Sequence, residues 1–439
     1  MKETTENRLK FYQYVIPSIG SMLVTGLYFV VDGMFVGRGV GPAGMAAVNL
    51  ATPFISLLTT VTMMITMGGA TLSAIHLGRS QNKEANDVFQ QSMGMTIFFS
   101  LCMTVVSLLF ATPIAGLLGA SGSLIADTAV YMRYYVAFGI FFCSSMILSA
   151  FVRNDGNPKL AFWGMIAGAV SNVFLDWLFI FPLQLGLRGA AVASGLGQIL
   201  SCAILLSHFV RKRGVFRLRL PVFQRNVITQ ILQVGTPEFV TQIGRSVTVL
   251  CYNLVAAKLL GDAGLEAFAV VSYLIIIIVA LFLGVAQGIQ PLLSYSRGEK
   301  NLQNERYFFR KGMILNVLLA GMVYAAMLLF GKSIISLFNQ DAVLIEDAYW
   351  CICIYGISFL FSAVNILYTT YYLAIKQTRL ALKIAIARGL FFNTVCIFLL
   401  PCLFGEGAIW LGIVVAEVIV MLLVFLQRRK ERRPQPLCG

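Results

Sequence analysis

Two acidic residues lie inside apolar stretches that are long enough to cross a membrane. Asp32 is six residues from the polar segment at Arg38, and Asp176 is six residues from Pro182. An ionised carboxylate in the middle of a membrane helix costs about 2.5–3.5 kcal/mol on insertion scales, and less near an interface. Both carboxylates therefore require either a bound cation or hydrogen-bonding partners.

Polar side chains accompany these two acids at the same predicted depth. Asn172 precedes Asp176 by four residues, so both project from one helix face. Ser194 lies six residues after Arg188. A rise of ~1.5 Å per residue places Asp32, Asp176 and Ser194 ~9 Å below the same surface. We expect two carboxylates, an amide and a hydroxyl in one layer.

Such a layer has two interpretations. Two neighbouring carboxylates resist double ionisation, so the pair could hold one proton, or a bare cation with further oxygen ligands from Asn172 and Ser194. Loss of that cation would change which helix packing is favoured. The alternative is a hydrogen-bonded structural cluster that lines an aqueous vestibule.

The composition indicates that helices in a membrane must position these residues. Apolar residues are 58% and charged residues 12% of the 439, and the mean hydropathy is +0.82. Twelve apolar stretches have roughly 18 residues or more, enough to cross a hydrocarbon core of ~30 Å. They lie near residues 11–37, 47–77, 91–111, 128–152, 160–182, 187–210, 227–257, 265–296, 312–331, 347–375, 380–403 and 406–427. The sequence predicts an all-α polytopic membrane protein with twelve transmembrane helices.

The net charge of +14 is explained by topology rather than by nucleic acid. With both termini cytoplasmic, the inner segments hold 26 Lys and Arg, the outer loops hold 4, and three more lie within helices. Such a bias is typical of cytoplasmic loops. We therefore expect a multi-pass protein of the cell (plasma or inner) membrane, with lipid as its surroundings and no nucleic-acid partner. The first apolar stretch is too long for a cleaved signal peptide.

The chain contains an internal sequence repeat, whose two copies are offset by about 220 residues. Pro17, Gly41, Gly44, Gly78 and Asp127 recur as Pro237, Gly261, Gly264, Gly298 and Asp347. The repeat predicts four regions: a cation-coupling lobe at 1–210, a basic cytoplasmic linker at 211–226, a second lobe at 227–427 and a cytoplasmic tail at 428–439. The same offset places Tyr252 and Cys396 where the first copy has Asp32 and Asp176. A helix scaffold of this kind can thus be built without the two acids.

Other charges in the apolar stretches have structural interpretations. Glu238 and Arg245 lie seven residues apart, two turns along one helix face, and could form an ion pair. Glu417 could pair with Arg388 of the preceding span. Pro17 interrupts the first span and is a candidate hinge, or else a permanent kink.

The sequence disfavours an enzyme. The two histidines lie near predicted cytoplasmic helix ends, and eight of the nine cysteines lie in apolar stretches, so neither type suggests a catalytic or metal cluster. No P-loop is present for direct use of ATP. We expect no cofactor beyond H⁺ or Na⁺ as a coupling ion, and no metal beyond Na⁺ at the acidic layer.

Three strings carry a family resemblance when taken in order. They are VDGMFVG at 31–37, SNVFLD at 171–176 and GAAVAS at 189–194, with Pro17 before them. Together with the duplication, they make the whole chain resemble the MATE (multidrug and toxic compound extrusion) family, and most closely its DinF- and MepA-like branch. Ser194 stands where the family often has Thr.

The resemblance implies a fold and a function. It implies two pseudo-symmetric six-helix lobes in a V shape, and export of organic, often cationic, compounds against inward H⁺ or Na⁺ by alternating access. It implies a cation site formed by Tyr28, Asp32, Asn172, Asp176 and Ser194. Small organic molecules would be the partners of a monomeric transporter. A lipid or oligosaccharide-lipid flippase of the same superfamily is the alternative, and a membrane-embedded enzyme is the third.

A cavity for apolar cations favours methionine and aromatic side chains, because they give adaptable contacts and cation–π attraction. The candidates are Met63, Met64, Met67, Tyr131, Tyr135, Tyr368, Tyr371 and Tyr372. The alternative for each of them is an ordinary core or lipid-facing position.

Overall fold

The computed structural model describes residues 5–336 and 341–432, and every regular element among them is a helix. Residues 433–439 of the predicted tail, with Cys438, lie outside the described residues. The first half contains α1 (Thr5–Gly39), α2 (Pro42–Gly78), α3 (Asn82–Leu117), α4 (Leu124–Ala137), α5 (Gly139–Asn154), α6 (Pro158–Ile180) and α7 (Gly186–Val210). The second half contains α8 (Arg225–Gly298), α9 (Leu302–Ile335), α10 (Ala342–Ala374), α11 (Thr378–Ile386), a π-helical segment (Ala387–Phe392), α12 (Asn393–Phe404), a 3₁₀ turn (Glu406–Leu411) and α13 (Gly412–Arg432).

The number of candidate membrane spans among the described helices agrees with the twelve that the sequence predicts. Eleven are long and apolar enough to cross a bilayer, and the bent pair α4–α5 makes a twelfth. The two helices of that pair meet at 47°, at Phe138, whose φ of −87° and ψ of 1° leave the helical range. The span predicted at 128–152 is therefore broken in its middle. The prediction of an all-helical polytopic fold is confirmed.

Equivalent glycines end the first helix of each repeat. Gly41 has φ +90° and Gly261 has φ +63°, a backbone region that glycine adopts without a side-chain clash. Gly261 divides α8 into two spans, Arg225–Gly261 and Glu266–Gly298. The sequence offset of 220 thus corresponds to the same local break in both copies.

Packing contacts divide the chain into two compact units. The first unit runs up to Phe239 and includes Gln287–Glu305, and the second contains Val240–Ala286 and the chain from Arg306 onward. Hence α8 contributes its two ends to the first unit and its middle to the second. The lobe boundaries drawn from the sequence stay a prediction.

Close helix crossings within the first unit depend on glycine. A Cβ at Gly78 would lie 2.1 Å from the Tyr295 carbonyl oxygen, and one at Gly298 would lie 2.2 Å from that of Ile75. Residues 75 and 295, like residues 78 and 298, are related by the repeat. The ends of α2 and α8 therefore cross at backbone contact with local two-fold character.

The second unit contains an irregular helix that is also packed through glycine. The π-helical segment Ala387–Phe392 joins α11 to α12 and carries Arg388 and Gly389. A Cβ at Gly244 would lie 2.5 Å from Gly389 Cα, so α8 and this segment touch backbone to backbone. Insertions of this kind frequently occur at functional sites.

Candidate ion-binding site

The site begins with a close approach of α6 and α7 in the first unit. A Cβ on Gly168 would lie 2.9 Å from the Gly197 carbonyl oxygen, and one on Gly197 would lie 2.7 Å from that of Gly168. A Cβ on Gly197 would also lie 3.0 Å from the Cβ of Asn172, so Asn172 packs directly against Gly197. Small residues at this crossing therefore bring the polar residues of both helices together.

Three of the predicted residues are joined by hydrogen bonds at this crossing. The Tyr28 hydroxyl of α1 donates to Ser194 Oγ at 3.2 Å. The Asn172 amide donates to the same oxygen at 3.3 Å. All three side chains are buried. Ser194 thus connects α1, α6 and α7 as a double acceptor.

The two carboxyl groups complete the cluster. Asp176 is fully buried, and the carboxyl groups of Asp32 and Asp176 lie within hydrogen-bonding reach of each other once one of them carries a proton. Among the described residues, Asp32 Oδ1, Asn172 Oδ1 and both carboxyl oxygens of Asp176 form no hydrogen bond of normal length. Four buried oxygens therefore lack a donor in one small region.

This arrangement defines what the site can do chemically. Buried acceptors without donors carry a free-energy penalty of about 1–3 kcal/mol each, and more for charged groups. A proton placed between the carboxyls, or a hard cation bound by these oxygens, would remove the penalty. The donor set of two carboxylates and an amide oxygen suits either H⁺ or Na⁺, since oxygen is the ligand that hard cations prefer.

A small cavity of about 10 Å³ adjoins Ser194. Tyr135, Phe138, Phe142, Gly195 and Gln198 complete its lining. That volume is about the size of one water molecule. The candidate tyrosine Tyr135 therefore lies next to the polar cluster, and its ring is 5.7 Å from that of Tyr131.

The second unit holds different side chains at the equivalent positions. Tyr252 is buried and donates to the Ile409 carbonyl at 3.4 Å. Its ring stacks on Phe268 at 4.9 Å. Cys396, at the position equivalent to Asp176, is also buried. Apolar and aromatic packing thus occupies the place where the first unit has two carboxylates.

The predicted partners Arg388 and Glu417 lie together in the second unit. Arg388 Nε donates to Glu417 Oε1 at 2.6 Å, and Glu417 is 1% exposed. The amide of buried Asn365 donates to Glu417 Oε2 at 2.6 Å and to its carbonyl at 2.9 Å. This carboxylate is therefore satisfied by a cation and an amide, in contrast to Asp32 and Asp176.

The remaining candidates are distributed over both units. Met67, Tyr131, Tyr368 and Tyr372 are buried, whereas Met63, Met64, Tyr135 and Tyr371 are partly buried. Tyr368 and Tyr372 pack on one another, and Phe309 contacts Tyr368 and Tyr371. Pro17 lies inside the continuous α1, and Glu238 and Arg245 lie in α8. Their roles as cavity, hinge and ion pair stay predictions.

A buried acid at the end of α5 was missed by sequence reasoning. Asp155 Oδ2 is 2.9 Å from His208 Nε2, with both side chains 2% exposed. Asp155 Oδ1 accepts from the Val215 backbone amide at 2.7 Å. Two sequence features could have indicated this contact: the acid in the N-D-G-N-P turn and the histidine just before the basic linker. These contacts attach the linker to the first unit.

The fold and the cluster around Asp32 and Asp176 define a duplicated, polytopic helical membrane protein with a polar site inside its first repeat. A family model, MatE, matches residues 17–178 and 237–399, so the second match begins 220 residues after the first. The chain belongs to the MatE family, and the predicted resemblance is confirmed.

Several known proteins are similar over nearly the whole chain. The multidrug export protein MepA of Staphylococcus saprophyticus is 25% identical over 426 residues, which are 94% of this chain and 93% of that protein. MepA of Staphylococcus aureus strain COL is 25% identical over 431 residues, with the same coverage. A crystal structure of MATE in complex with MaL6 is similar with a TM-score of 0.92, at 21% identity and 98% coverage of both chains. An outward-facing multidrug resistance MATE transporter of the MOP superfamily gives 0.89 at 21% identity and 98% coverage of both.

Proposed function

We propose that this protein is a secondary active multidrug exporter, which moves organic, often cationic, compounds against inward H⁺ or Na⁺ by alternating access of its two lobes. The observation that carries the proposal is the set of four buried oxygens without donors around Asp32, Asn172 and Asp176. The proposal is supported by membership of the MatE family and by relatives named as multidrug export proteins.

The coupling ion acts by removing the electrostatic cost of the carboxyl pair. When H⁺ or Na⁺ is bound, the charge of the Asp32–Asp176 pair falls from −2 to −1, the two carboxyl groups share the cation, and close packing of α1 against α6 is favoured. When the ion leaves, two acceptors face one another without a donor, and a helix arrangement that admits water becomes more favourable. A ligand shifts such an equilibrium only by its differential affinity for the two states.

The hydroxyl and amide groups hold the site together. Ser194 accepts from Tyr28 and from Asn172, so hydrogen bonds between protein side chains link the three helices. The amide oxygen of Asn172 has no hydrogen-bond partner among the described residues and is available as a further ion ligand. We assign Tyr28 and Ser194 to positioning, and Asp32, Asp176 and Asn172 to ion binding.

The proposal includes an orientation and a location. Both termini lie on the cytoplasmic side of the cell membrane, because the Lys and Arg residues concentrate in the segments that face that side. The substrates are bulky organic cations, which methionine and tyrosine side chains bind through adaptable apolar and cation–π contacts. The transporter works as a monomer, since one chain contains both repeats.

Transport in proteoliposomes tests the proposal. Purified protein is reconstituted and export of a fluorescent cationic dye is followed under an imposed H⁺ gradient, and separately under an imposed Na⁺ gradient. Wild type is expected to respond to one of the two gradients. The Asp32→Asn, Asp176→Asn double variant is expected to lose that response, because neither amide exchanges a cation.

The control is Asp127→Asn, which removes an exposed acid from the first turn of α4. It should transport as wild type does. Gradient-driven transport by the double variant at the wild-type rate would refute the assignment of the coupling site. Transport by wild type that ignores both gradients would refute the antiport mechanism.

A further inference from the structure

The basic linker between α7 and α8 is fixed to the rest of the first unit by partly buried hydrogen bonds. The backbone amide of Val215 donates to Asp155 at 2.7 Å, and that of Arg217 donates to Asn86 Oδ1 at 2.6 Å. Farther along, the amide of Gln224 donates to a side-chain oxygen of α3 at 2.8 Å. Phe216 is fully buried among aromatic side chains. The linker therefore holds its other side chains in defined positions.

Those other side chains are a mixture of exposed apolar and basic residues. Leu220 is 91% exposed, Val222 is 73% exposed and Phe223 is 54% exposed, and a contiguous exposed apolar patch of this kind marks a membrane or partner surface. Arg219 and Arg225 lie beside them and are exposed as well. A segment that offers apolar side chains and arginines together is suited to the boundary between acyl chains and lipid headgroups.

A groove of about 480 Å³ adjoins this segment in the first unit. Apolar side chains of α2, α3, the linker and α8 line it, among them Ile65, Met95, Phe98, Phe223 and Ile228. Phe98 lies sixteen residues into α3, which is ~24 Å from the start of that helix. The groove thus extends from the linker toward the middle of the membrane span.

A glycine in α3 lets the linker pack closely beside this groove. A Cβ at Gly94 of α3 would lie 2.7 Å from Pro221 and 2.9 Å from the Phe223 ring, so glycine lets the linker lie against α3. Arg225 lies two residues after Phe223 and three before Ile228, both of which line the groove. Arg219 and Arg225 therefore flank in sequence the linker residue Phe223 that lines the groove.

We propose that this groove binds an anionic phospholipid of the leaflet on which the linker lies. One acyl chain occupies the apolar groove, and the phosphate is bound by Arg219 and Arg225. Guanidinium groups suit this role because they bind phosphate through paired N–H donors. Anionic lipid also concentrates in the cytoplasmic leaflet, the side predicted for the linker. The proposal is independent of what the protein transports.

Native mass spectrometry of the full-length protein tests the proposal. Detergent-solubilised protein is equilibrated with equal amounts of phosphatidylglycerol and phosphatidylcholine of matched chains, and retained lipid is counted. We expect phosphatidylglycerol to be retained at least about fivefold more. The Arg219→Gln, Arg225→Gln double variant should lose this preference, whereas the matched Arg211→Gln control in the same linker should keep it.

A second variant separates the acyl-chain site from the headgroup site. Ile228→Trp narrows the groove and should lower retention of both lipids, and thermal unfolding checks that this variant is folded. Equal retention of the two lipids by wild type, or an unchanged preference in the double variant, would overturn the proposal. Displacement of bound lipid by tetraphenylphosphonium at micromolar concentration would also overturn it, because the groove would then be a cargo site.

Discussion

The Asp155 carboxylate should decide whether the linker stays attached to the first unit. It accepts from the Val215 amide at 2.7 Å, and it lies 2.9 Å from His208 Nε2. Because an ionised carboxylate only accepts, His208 is the donor of the second bond. Asp155→Ala leaves two buried donors without a partner, at a cost of about 1–3 kcal/mol each. The attachment should weaken by about 2–6 kcal/mol.

This free energy translates into a measurable opening of the linker. The lower limit of about 2 kcal/mol corresponds to a roughly 30-fold larger open population, since 1.4 kcal/mol is a factor of ten. Limited trypsin digestion measures that open population, because trypsin cleaves after Lys and Arg and the linker begins with Arg211, Lys212 and Arg213. We expect Asp155→Ala to be cut in the linker at least roughly 30-fold faster than wild type.

Two further variants make this prediction specific. A Cβ at Gly214 would lie 1.7 Å from Asp155 Oδ2, so Gly214→Ala should displace the carboxylate and also accelerate cleavage. Asp127→Ala removes an exposed acid in α4 and should be cut at the wild-type rate. Cleavage of both Asp155→Ala and Gly214→Ala at the wild-type rate would refute the view that this carboxylate holds the linker.

Two other predictions concern packing and charge inside the units. Gly298→Ala places a methyl group 2.2 Å from a backbone carbonyl of α2 and should destabilise the protein by about 1–3 kcal/mol, whereas Gly321→Ala meets no atom of the described residues within 4 Å. Equal unfolding temperatures of the two variants in detergent would contradict the close backbone contact between α2 and α8. Glu417→Gln leaves the Arg388 guanidinium without its carboxylate and should cost about 3–5 kcal/mol. Thermal unfolding that matches that of wild type would show the pair to be dispensable.

Much of the fold follows from apolar length and glycine positions. A helix that crosses a bilayer must satisfy its own backbone hydrogen bonds, so long apolar stretches specify helices without knowledge of their neighbours. The repeat was equally visible, because Gly41 and Gly261 recur at the same offset and both adopt a positive φ, which glycine does without a side-chain clash. Helical rise also predicts one level for Asp32, Asp176 and Ser194, and α1, α6 and α7 bring these residues into one cluster.

Features that depend on distant partners could not be predicted in this way. The π-helical segment at Ala387–Phe392 lies in a stretch whose composition suits an ordinary helix. It coincides with the backbone contact between Gly244 and Gly389, which belong to segments far apart in sequence. The bond between Asp155 and His208 likewise joins residues 53 positions apart. Local sequence patterns carry no information on such pairings.

The two units offer a comparison within one chain that bears on the role of the acids. In the second unit Asn393 donates to Thr248 at 3.3 Å, so an amide–hydroxyl contact is present near the position equivalent to the candidate ion-binding site. Tyr252 and Cys396 replace the two carboxylates.

The surroundings change together with those residues. Phe268 and Trp410 contact Tyr252, whereas the equivalent positions of the first unit are Val48 and Ala190. The second unit therefore packs this region with aromatic rings, which need no ion. The first unit instead retains two carboxylates with unpaired oxygens. A scaffold that can be packed without acids has no structural need for them, which supports the proposal that Asp32 and Asp176 bind an ion.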